Sequence, residues 1–127
     1  MILVDSSVWI DHFARPIEML GDLVAIREVS THPFVVGELA LSSLKNRHNV
    51  LNSLSDLPKA AVATDDEVLA LVERRSLFSR GISYVGAHLL ASALLAGETK
   101  LWSFDRRLRA MAAQLNCAAG LPGKRAN

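Results

Sequence analysis

The sequence predicts an α/β fold in which helices cover a central parallel sheet. Two short apolar runs support this prediction, one at residues 2–4 and one at residues 101–104, and an aspartate directly follows each of them. Between the two runs, apolar residues recur at helical spacing in several segments. Short strands that alternate with helices are typical of a parallel sheet that is buried on both faces.

The first half of the chain is predicted to hold two strands and four helices. Residues 2–4 form the first strand, a short helix follows at about 7–13, and Pro16 starts a second helix. The apolar face of that second helix consists of Ile17, Leu20, Leu23 and Val24. Residues 28–31 are a weak strand candidate. Pro33 suits the first position of a helix that runs to about Leu44, and another helix is expected at 46–54.

The second half of the chain begins with Ala60 to Ala63, a short apolar run that fits a buried strand. Thr64 and Glu67 follow with the spacing of a capping box, so a helix starts there. A further helix at 87–96 is apolar on nearly every side and ends at Gly97. Such a helix belongs in the middle of the protein or against a partner subunit. A strand at 101–104 and a helix with Leu108, Met111, Ala112 and Leu115 on its apolar face complete the prediction.

Composition narrows the class of protein. The chain has 127 residues, of which 50% are hydrophobic and 21% charged, so we expect one folded domain rather than disorder. We expect no membrane span, because no charge-free apolar run approaches about 18 residues, and the N-terminus lacks the pattern of a signal peptide. A single cysteine, Cys117, excludes an intrachain disulfide framework. These features predict a cytoplasmic protein with a domain at 1–119 and a flexible tail at 120–127.

The net charge of +1 does not identify a partner, but the basic residues are clustered in the sequence. A basic rim around an acidic pocket would suit a ligand with a phosphate backbone. For any single basic residue, an ordinary solvated helix face remains the alternative. The clustered residues are Arg74, Arg75, Arg80, Arg106, Arg107, Arg109, Lys124 and Arg125.

Three carboxylates lie in apolar surroundings and are the candidates for chemistry. Asp5 and Asp105 each follow a predicted strand, so each is either the N-cap of the next helix or a site residue. Glu38 lies in a helix with hardly another polar group, where a buried carboxylate would be costly unless it is paired or bound to metal. Carboxylates gathered at one sheet edge repel one another, and a divalent cation relieves that repulsion. Ligands that are all oxygen favour Mg²⁺ or Mn²⁺ over zinc.

Other chemistries are disfavoured. The four histidines share no metal-binding spacing, no serine lies in a Gly-x-Ser-x-Gly turn, and no glycine-rich phosphate loop follows a strand. Trp9 and Trp102 have apolar neighbours and are expected in the core rather than on a base-binding surface.

Four blocks of the sequence together resemble the PIN-domain VapC toxins, the ribonuclease components of bacterial VapBC toxin–antitoxin modules. The blocks are Asp5 to Asp11, Gly37 to Ala40, Tyr84 to Ser92 and Leu101 to Leu108, and they span essentially the whole chain. The resemblance implies a PIN-like three-layer α/β/α sandwich. It also implies Mg²⁺-dependent cleavage of RNA, often tRNA or ribosomal RNA, by water that the metal activates. Its implied partners are a second copy of the chain, in a homodimer, and a VapB-type antitoxin.

The resemblance also implies roles for individual residues. Asp5, Glu38 and Asp105 match the acids of the active site, with Asp5 and Asp105 as metal ligands and Ser7 as a supporting polar residue. Gly86 departs from the pattern, since the toxins that look active typically have aspartate there. We place position 86 just before a helix, where a glycine N-cap costs only roughly a few tenths of a kcal/mol relative to Asp. The fold should therefore tolerate this glycine better than the chemistry does, and we expect weakened metal binding and activity.

Three functional hypotheses remain open from the sequence. The first is a VapC-like endoribonuclease, and the second is a module of the same fold that binds antitoxin or RNA without turnover. The third, a phosphotransfer receiver, is disfavoured because no lysine ends a late strand. The apolar residues at 17–26 and 39–44 either form an antitoxin groove, which substitutions at Leu20 and Leu23 would test, or belong to the core.

Overall fold

The computed structural model describes residues 1–125, which fold into three strands and seven helices. The strands are β1 (Ile2–Val4), β2 (Val29–Ser30) and β3 (Lys100–Trp102). The helices are α1 (Ser6–Ala14), α2 (Glu18–Ala25), α3 (Pro33–Leu41), α4 (Arg47–Ser55), α5 (Asp65–Arg74), α6 (Tyr84–Ala96) and α7 (Arg106–Gln114). Among these described residues, no helix has the length and apolar character needed to cross a membrane.

The three strands form one parallel sheet with β1 in the middle and the order β2-β1-β3. Ile2 lies opposite Val29 on one side and Lys100 on the other. The chain leaves β1 for β2 and then crosses to the far side of β1 to form β3. Because parallel crossovers are right-handed, this reversal of direction places helices on both faces of the sheet. The predicted α/β fold with a central parallel sheet is confirmed.

Helix α6 forms the centre of the core, as its apolar sequence predicts. Eight consecutive residues, from Gly86 to Ala93, are buried, and the helix packs against both α5 and β3. It ends at Gly97, whose φ of 73° lies in the left-handed region that favours glycine. The two tryptophans, Trp9 and Trp102, are buried, which confirms their predicted place in the core.

The predicted helix starts at Thr64 and Pro33 are also confirmed. Thr64 Oγ1 accepts a hydrogen bond from Glu67 N at 3.1 Å, and Glu67 Oε1 accepts from Thr64 N at 2.9 Å, which completes the capping box. Pro33 is the first residue of α3, after His32 as N-cap. Helix α3 then ends at Leu41, earlier than predicted.

The strand predicted at Ala60 to Ala63 is wrong. The chain touches the sheet there through a single bridge between Lys59 and Thr31, and Ala61 and Val62 are exposed. Thr31 N donates to the Pro58 carbonyl at 2.9 Å, and Ala60 N donates to the Thr31 carbonyl at 2.8 Å. A run of four apolar residues fits a strand by composition, but a strand also needs a partner, and in residues 1–125 the pairing beside this run is limited to the Lys59–Thr31 bridge.

The segment after α7 returns to the other edge of the sheet, where Ala118 forms a parallel bridge with Leu101. Beyond it, Trp102 Nε1 donates to the Pro122 carbonyl at 2.8 Å, and the Arg125 guanidinium donates to the Asp11 carbonyl. The domain boundary at 119 and the flexible tail at 120–127 stay predictions. Residues 120 to 125 make these contacts, and residues 126 and 127 lie outside the described part of the chain.

Candidate active site

The sheet order predicts a ligand-binding crevice at the carboxyl ends of β1 and β3. The chain runs from β1 to β2 on one side and then crosses back to β3 on the other side of β1. Open α/β sheets bind ligands where the strand order reverses in this way. Asp5 directly follows β1 and Asp105 follows β3. The two strand ends are joined by a backbone hydrogen bond of 2.9 Å from Asp5 N to the Trp102 carbonyl. Both predicted acids therefore flank the crevice.

The Asp5 carboxylate is buried, with 7% of the residue exposed, and two hydroxyls hold it in place. Its Oδ2 accepts a hydrogen bond from Ser7 Oγ at 2.8 Å and another from Ser103 Oγ at 2.7 Å. Asp5 occupies the N-cap position of α1, yet its side chain makes no capping hydrogen bond. The capping interpretation of Asp5 therefore fails, and its side chain is available for a site.

The two serines are themselves oriented by the backbone at the end of β3. Ser7 Oγ accepts from Phe104 N at 3.0 Å, and Ser103 Oγ accepts from Asp105 N at 2.9 Å. A hydroxyl has one proton to donate, and each serine directs its proton to Asp5. The 3.4 Å contact between the two hydroxyl oxygens is therefore a packing contact rather than a hydrogen bond. The result is a carboxylate fixed at one oxygen by two hydroxyls of fixed direction.

Asp105 has a different role from Asp5, although both sit at the N-cap of a helix. Its Oδ1 accepts hydrogen bonds from Arg107 N at 2.9 Å and Leu108 N at 3.1 Å, so it caps α7. The residue is exposed at the rim of the crevice. Asp105 therefore caps α7, and within residues 1–125 its second oxygen, Oδ2, accepts no protein hydrogen bond.

Glu38 lies on α3, and it is exposed rather than buried. The prediction of a costly buried carboxylate is wrong, because α3 packs through Val35 and Leu39 while Glu38 stays at its surface. Its Oε1 accepts a hydrogen bond from Ser6 Oγ at 3.0 Å. Because Ser6 is next to Asp5 in the chain, this bond brings Glu38 to the start of α1.

These three carboxylates offer oxygens of the type that Mg²⁺ and Mn²⁺ prefer. Each binds protein donors through one oxygen, and within residues 1–125 the other oxygen accepts no protein hydrogen bond. No lysine or arginine forms an ion pair with any of them in that range. Yet the described residues contain no group of three or more His, Cys, Asp or Glu side chains arranged to hold a metal ion. The donors are of the right chemistry, but the set is incomplete.

Gly86 is buried in the first turn of α6, which begins three residues earlier than predicted. Its predicted place at an N-cap is wrong, because Ser83 is the N-cap and its Oγ accepts from Gly86 N at 3.0 Å. A Cβ at position 86 would lie 3.4 Å from Leu108 Cδ1, 3.3 Å from Ser83 Oγ and 3.2 Å from Ile82 Cγ2. Leu108 is in the turn of α7 that Asp105 caps, so a side chain at position 86 would extend beside that turn.

The predicted basic rim divides into two groups. The Arg109 guanidinium donates to the Ser103 and Leu121 carbonyls at 3.0 and 2.9 Å, and that of Arg125 donates to carbonyls at the end of α1, so both are structural. The other members are exposed. Over residues 1–125, no lysine or arginine forms a salt bridge with an aspartate or glutamate, which leaves these cations accessible to an anionic ligand.

Sequence reasoning missed two serines of the site, Ser6 and Ser103. A signal for them exists, because Ser103 lies two residues before Asp105 and the pair Ser6-Ser7 directly follows Asp5. Small hydroxyl residues beside an acid at a strand end are what a fixed carboxylate requires. Their partners, however, are distant in sequence, which only the fold reveals: Ser6 and Glu38 are separated by 32 positions, and Ser103 and Asp5 by 98.

A separate apolar groove of about 370 Å³ lies between α1, α2 and α4. Its walls include Trp9, Phe13, Val24, Val50 and Leu57, and polar side chains such as Asn46 and Ser53 line its edge. Within the described chain, the buried Trp9 Nε1 has no hydrogen-bond partner. The groove does not include the residues proposed from sequence as its test: Leu20 is fully buried in the core, and Leu23 is half-buried outside the lining.

Comparisons with known proteins identify the class of this fold and crevice. The PIN domain family matches residues 2–114, which include every acid described above. The chain therefore belongs to the PIN-domain family. Within it, the chain is 48% identical over 122 residues to Ribonuclease VapC32 from each of two strains of Mycobacterium tuberculosis, covering 93% of this chain and 95% of each relative. The chain is thus a VapC-type PIN domain, and the resemblance noted from its sequence blocks is confirmed.

Proposed function

We propose that this VapC-type ribonuclease cleaves RNA with a divalent cation, Mg²⁺ or Mn²⁺, held by Asp5 and Asp105, with Glu38 as a further acid of the site. The observation that carries the proposal is the fixed Asp5 carboxylate, which uses one oxygen for two hydroxyls and leaves the other without a protein partner. A cation bound there supplies activation of the attacking water and compensates charge on the phosphate. Mg²⁺ commonly binds through one or two carboxylates and retains several waters, which suits this incomplete set.

The chain's own residues then orient the reaction. Ser7 and Ser103 fix the direction of Asp5, and Asp105 is fixed by the first turn of α7. Arg106 and Arg107, which are exposed in the first turn of α7, would bind phosphates on either side of the scissile bond. Since phosphate contacts release counterions, binding of RNA should weaken steeply as salt is raised.

A second function, binding without turnover, is favoured by one specific observation. Position 86 carries no side-chain oxygen, and no three-ligand group exists in the described residues. We propose that the glycine weakens metal binding and lowers activity, and leaves the fold and the RNA-binding surface in place. tRNA and ribosomal RNA remain the substrates that we expect.

Gly86→Asp tests both functions at once. Its Cβ meets only movable side chains at 3.2–3.4 Å, and an acid in the first turn of α6 is favoured by the helix dipole, so the variant should fold. We expect affinity for Mn²⁺ to rise at least about tenfold, which corresponds to about 1.4 kcal/mol. Isothermal titration with Mn²⁺ and cleavage of total bacterial RNA with and without EDTA are the measurements.

Gly86→Ala and Gly86→Asn are the matched controls. Alanine adds the same Cβ against the same three neighbours, and asparagine adds the shape of aspartate without its charge. Cleavage gained by Asp alone supports the metal site. If Gly86→Asp folds but gains neither Mn²⁺ affinity nor metal-dependent cleavage, the assignment of Asp5 and Asp105 as ligands is wrong.

We propose the apolar groove between α1, α2 and α4 as the binding site of the antitoxin partner. A VapB-type antitoxin would insert an amphipathic helix into such a groove, with apolar residues at helical spacing against Phe13 and Val24. Val24→Glu should reduce binding of the product of the adjacent reading frame, measured by co-purification. Ile26→Glu is the control, because Ile26 is 67% exposed and lies outside the lining. Equal loss in both variants would argue against this location.

A homodimer and a cytoplasmic location complete the proposal. The exposed apolar residues Leu69, Phe78 and Leu95 lie outside the antitoxin groove and are candidates for a contact between two copies. Sedimentation at micromolar concentration tests the dimer, and a purely monomeric protein would contradict it.

A further inference from the structure

A cluster of aromatic rings and imidazoles lies at the N-terminal ends of α3 and α6. His88 of α6 is 2% exposed and makes edge contacts with three other rings, of which Phe34 and Tyr84 are nearer than His32. Its ring centroid is 4.5 Å from that of Phe34 and 4.7 Å from that of Tyr84, with interplanar angles of 61° and 88°. Within residues 1–125, Phe34 and Tyr84 do not pair with each other, so the imidazole separates them. Nothing in the proposed cleavage chemistry uses this cluster.

The two outer rings are held in fixed positions. Tyr84 Oη donates to Asp65 Oδ1 at 2.7 Å, and His88 Nε2 lies 3.1 Å from the same oxygen. These hydrogen bonds, first that of Tyr84 and then that of His88, lower the pKa of the Asp65 carboxyl, so it remains a charged acceptor. The Phe34 ring packs between two imidazoles, with its centroid 5.2 Å from that of His32 and 4.5 Å from that of His88. Little side-chain freedom is left to lose on binding a ligand.

Both outer rings are nonetheless open to solvent. Phe34 is 37% exposed and Tyr84 is 47% exposed, which is unusual for rings that are otherwise so well anchored. An aromatic ring that is fixed at its edge and exposed at its face is suited to stacking against another flat group.

The exposed rings lie on the same helices as two positions of the candidate site. Phe34 is four residues before Glu38 on α3, so the two share one face of the helix. Tyr84 is in the same first turn of α6 as Gly86, the position that departs from the acidic pattern. Each ring is therefore about one helical turn or less from a position of the candidate site.

We propose that Phe34 and Tyr84 form a stacking site for an unpaired base of the RNA substrate, adjacent to the nucleotide at which the chain is cut. Single-stranded RNA is recognised by bases that are splayed out and stacked on aromatic side chains. The rings thus act as specificity-determining residues for the ribonuclease function proposed above. A contact between two copies of the chain is the competing occupant, and the experiment below separates the two.

Tyr84 provides a direct probe, because it is the only tyrosine in the chain. Protein labelled with 3-fluorotyrosine gives one ¹⁹F resonance from this ring. We expect that resonance to shift on titration with a single-stranded RNA nonamer of mixed sequence in EDTA, where no cleavage occurs. A nonamer lacking the base at the stacked position should bind without that shift. The protein concentration is held constant during the titration. A shift caused by dimerisation would therefore already be present in the spectrum recorded without RNA.

Substitutions test the energy of the contact. Phe34→Ala and Tyr84→Ala should each raise the Kd for the intact nonamer about 5- to 100-fold, the range found for loss of one stacked base. Phe34→Leu keeps the apolar area but not the π face, so it should weaken binding almost as much as alanine. Leu41→Ala is the matched control on α3, because Leu41 is 90% exposed and should leave the Kd unchanged.

The outcomes divide clearly. Wild-type affinity in Phe34→Leu, or equal weakening of the intact and base-lacking nonamers by Tyr84→Ala, overturns base stacking. A change of oligomeric state in the alanine variants with an unchanged Kd for RNA assigns the rings to a protein interface instead. Because binding is measured without metal, failure here is independent of the Gly86→Asp test, which bears on cleavage alone.

Discussion

The ends of β1 and β3 share a sequence pattern, an apolar strand followed by an aspartate, but the two aspartates have different structural roles. Asp5 and Asp105 both follow an apolar strand and both occupy the N-cap position of the next helix. Asp105 accepts hydrogen bonds from two backbone N–H groups of α7, and Asp5 accepts from none in α1. Asp5 is instead held by two serine hydroxyls, one of them from the far side of the crevice.

This difference shows that an aspartate at a strand end can be assigned to capping or to a site only when its partners are known. Asp5 has hydroxyl partners that polarise it without using its second oxygen, which supports its proposed role as a metal ligand. Asp105 contributes to helix stability whatever else it binds. Substitutions should therefore separate the two residues by their effects on chemistry and on stability.

The largest effect is expected from Asp5→Asn in the Gly86→Asp background. Losing a ligand should reduce metal-dependent cleavage by more than about 100-fold, the upper end of what loss of a ligand's supporting partner costs. The free energy of unfolding should change little, because no capping bond is lost and an amide oxygen can still accept from the serines. Cleavage assays and urea denaturation measure the two quantities. A large loss of stability with cleavage retained would reverse the comparison.

Ser103→Ala should have the next largest effect, because Ser103 joins both regions. The substitution removes the 2.7 Å bond to Asp5 and the acceptor for Asp105 N. We expect Mn²⁺ affinity in the Gly86→Asp background to fall about 10- to 100-fold, as for other groups that orient a metal ligand. Ser43→Ala, at an exposed position far from these partners in sequence, is the control for serine loss. Unchanged affinity would show that Ser7 alone orients Asp5.

Asp105→Ala should lower the free energy of unfolding by about 1 kcal/mol through loss of the α7 cap. Asp105→Asn should recover most of that stability, because an asparagine oxygen also caps helices well. Both variants lose the carboxylate, so neither should restore metal affinity. Thermal and urea unfolding of the two variants measure the difference in stability between alanine and asparagine at position 105. If alanine and asparagine are equally stable, the cap seen at Asp105 contributes nothing.

The smallest effect is a decline of stability in mild acid that arises away from both aspartates. Burial, followed by the charge of Arg125, lowers the pKa of His12, and burial, followed by His88, lowers the pKa of His32, both below the usual 6.5. Between the native and the unfolded pKa values of these histidines, the unfolded chain binds protons that the native state does not bind. Stability is therefore complete above about pH 6.5 and declines as pH falls toward the native pKa values. His12 is half-buried, which keeps its share of the effect small.

His32→Asn tests this origin, because asparagine retains an acceptor for Phe34 N at the start of α3. Urea unfolding between pH 5.5 and 7.5 should show a shallower pH dependence in this variant than in the original chain. An identical slope in the two proteins would exclude His32 as a source.

The sequence predicted the local elements well where their signals are local. The capping box at Thr64, the start of α3 at Pro33 and the end of α6 at Gly97 depend on residues a few positions apart, and all three are confirmed. The prediction of a strand at Ala60 to Ala63 failed because a buried strand needs a partner strand. Beside this run, Thr31, just after β2, forms a single bridge, to Lys59. The burial of Glu38 failed for the same kind of reason, since the side of α3 that packs is set by α1.

The sequence alone determined the fold class, the family resemblance and the acids Asp5, Glu38 and Asp105, because residue type and spacing along the chain carry those signals. Only the tertiary structure decided how each acid is used. It assigned Asp105 to a helix cap, Asp5 to the hydroxyls of Ser7 and Ser103, and Glu38 to Ser6 at an exposed surface. It also moved Gly86 from a helix cap into a buried turn. The physical reason is that hydrogen bonds fix a carboxylate's role, and here the decisive donor to Asp5 lies 98 residues away in the chain.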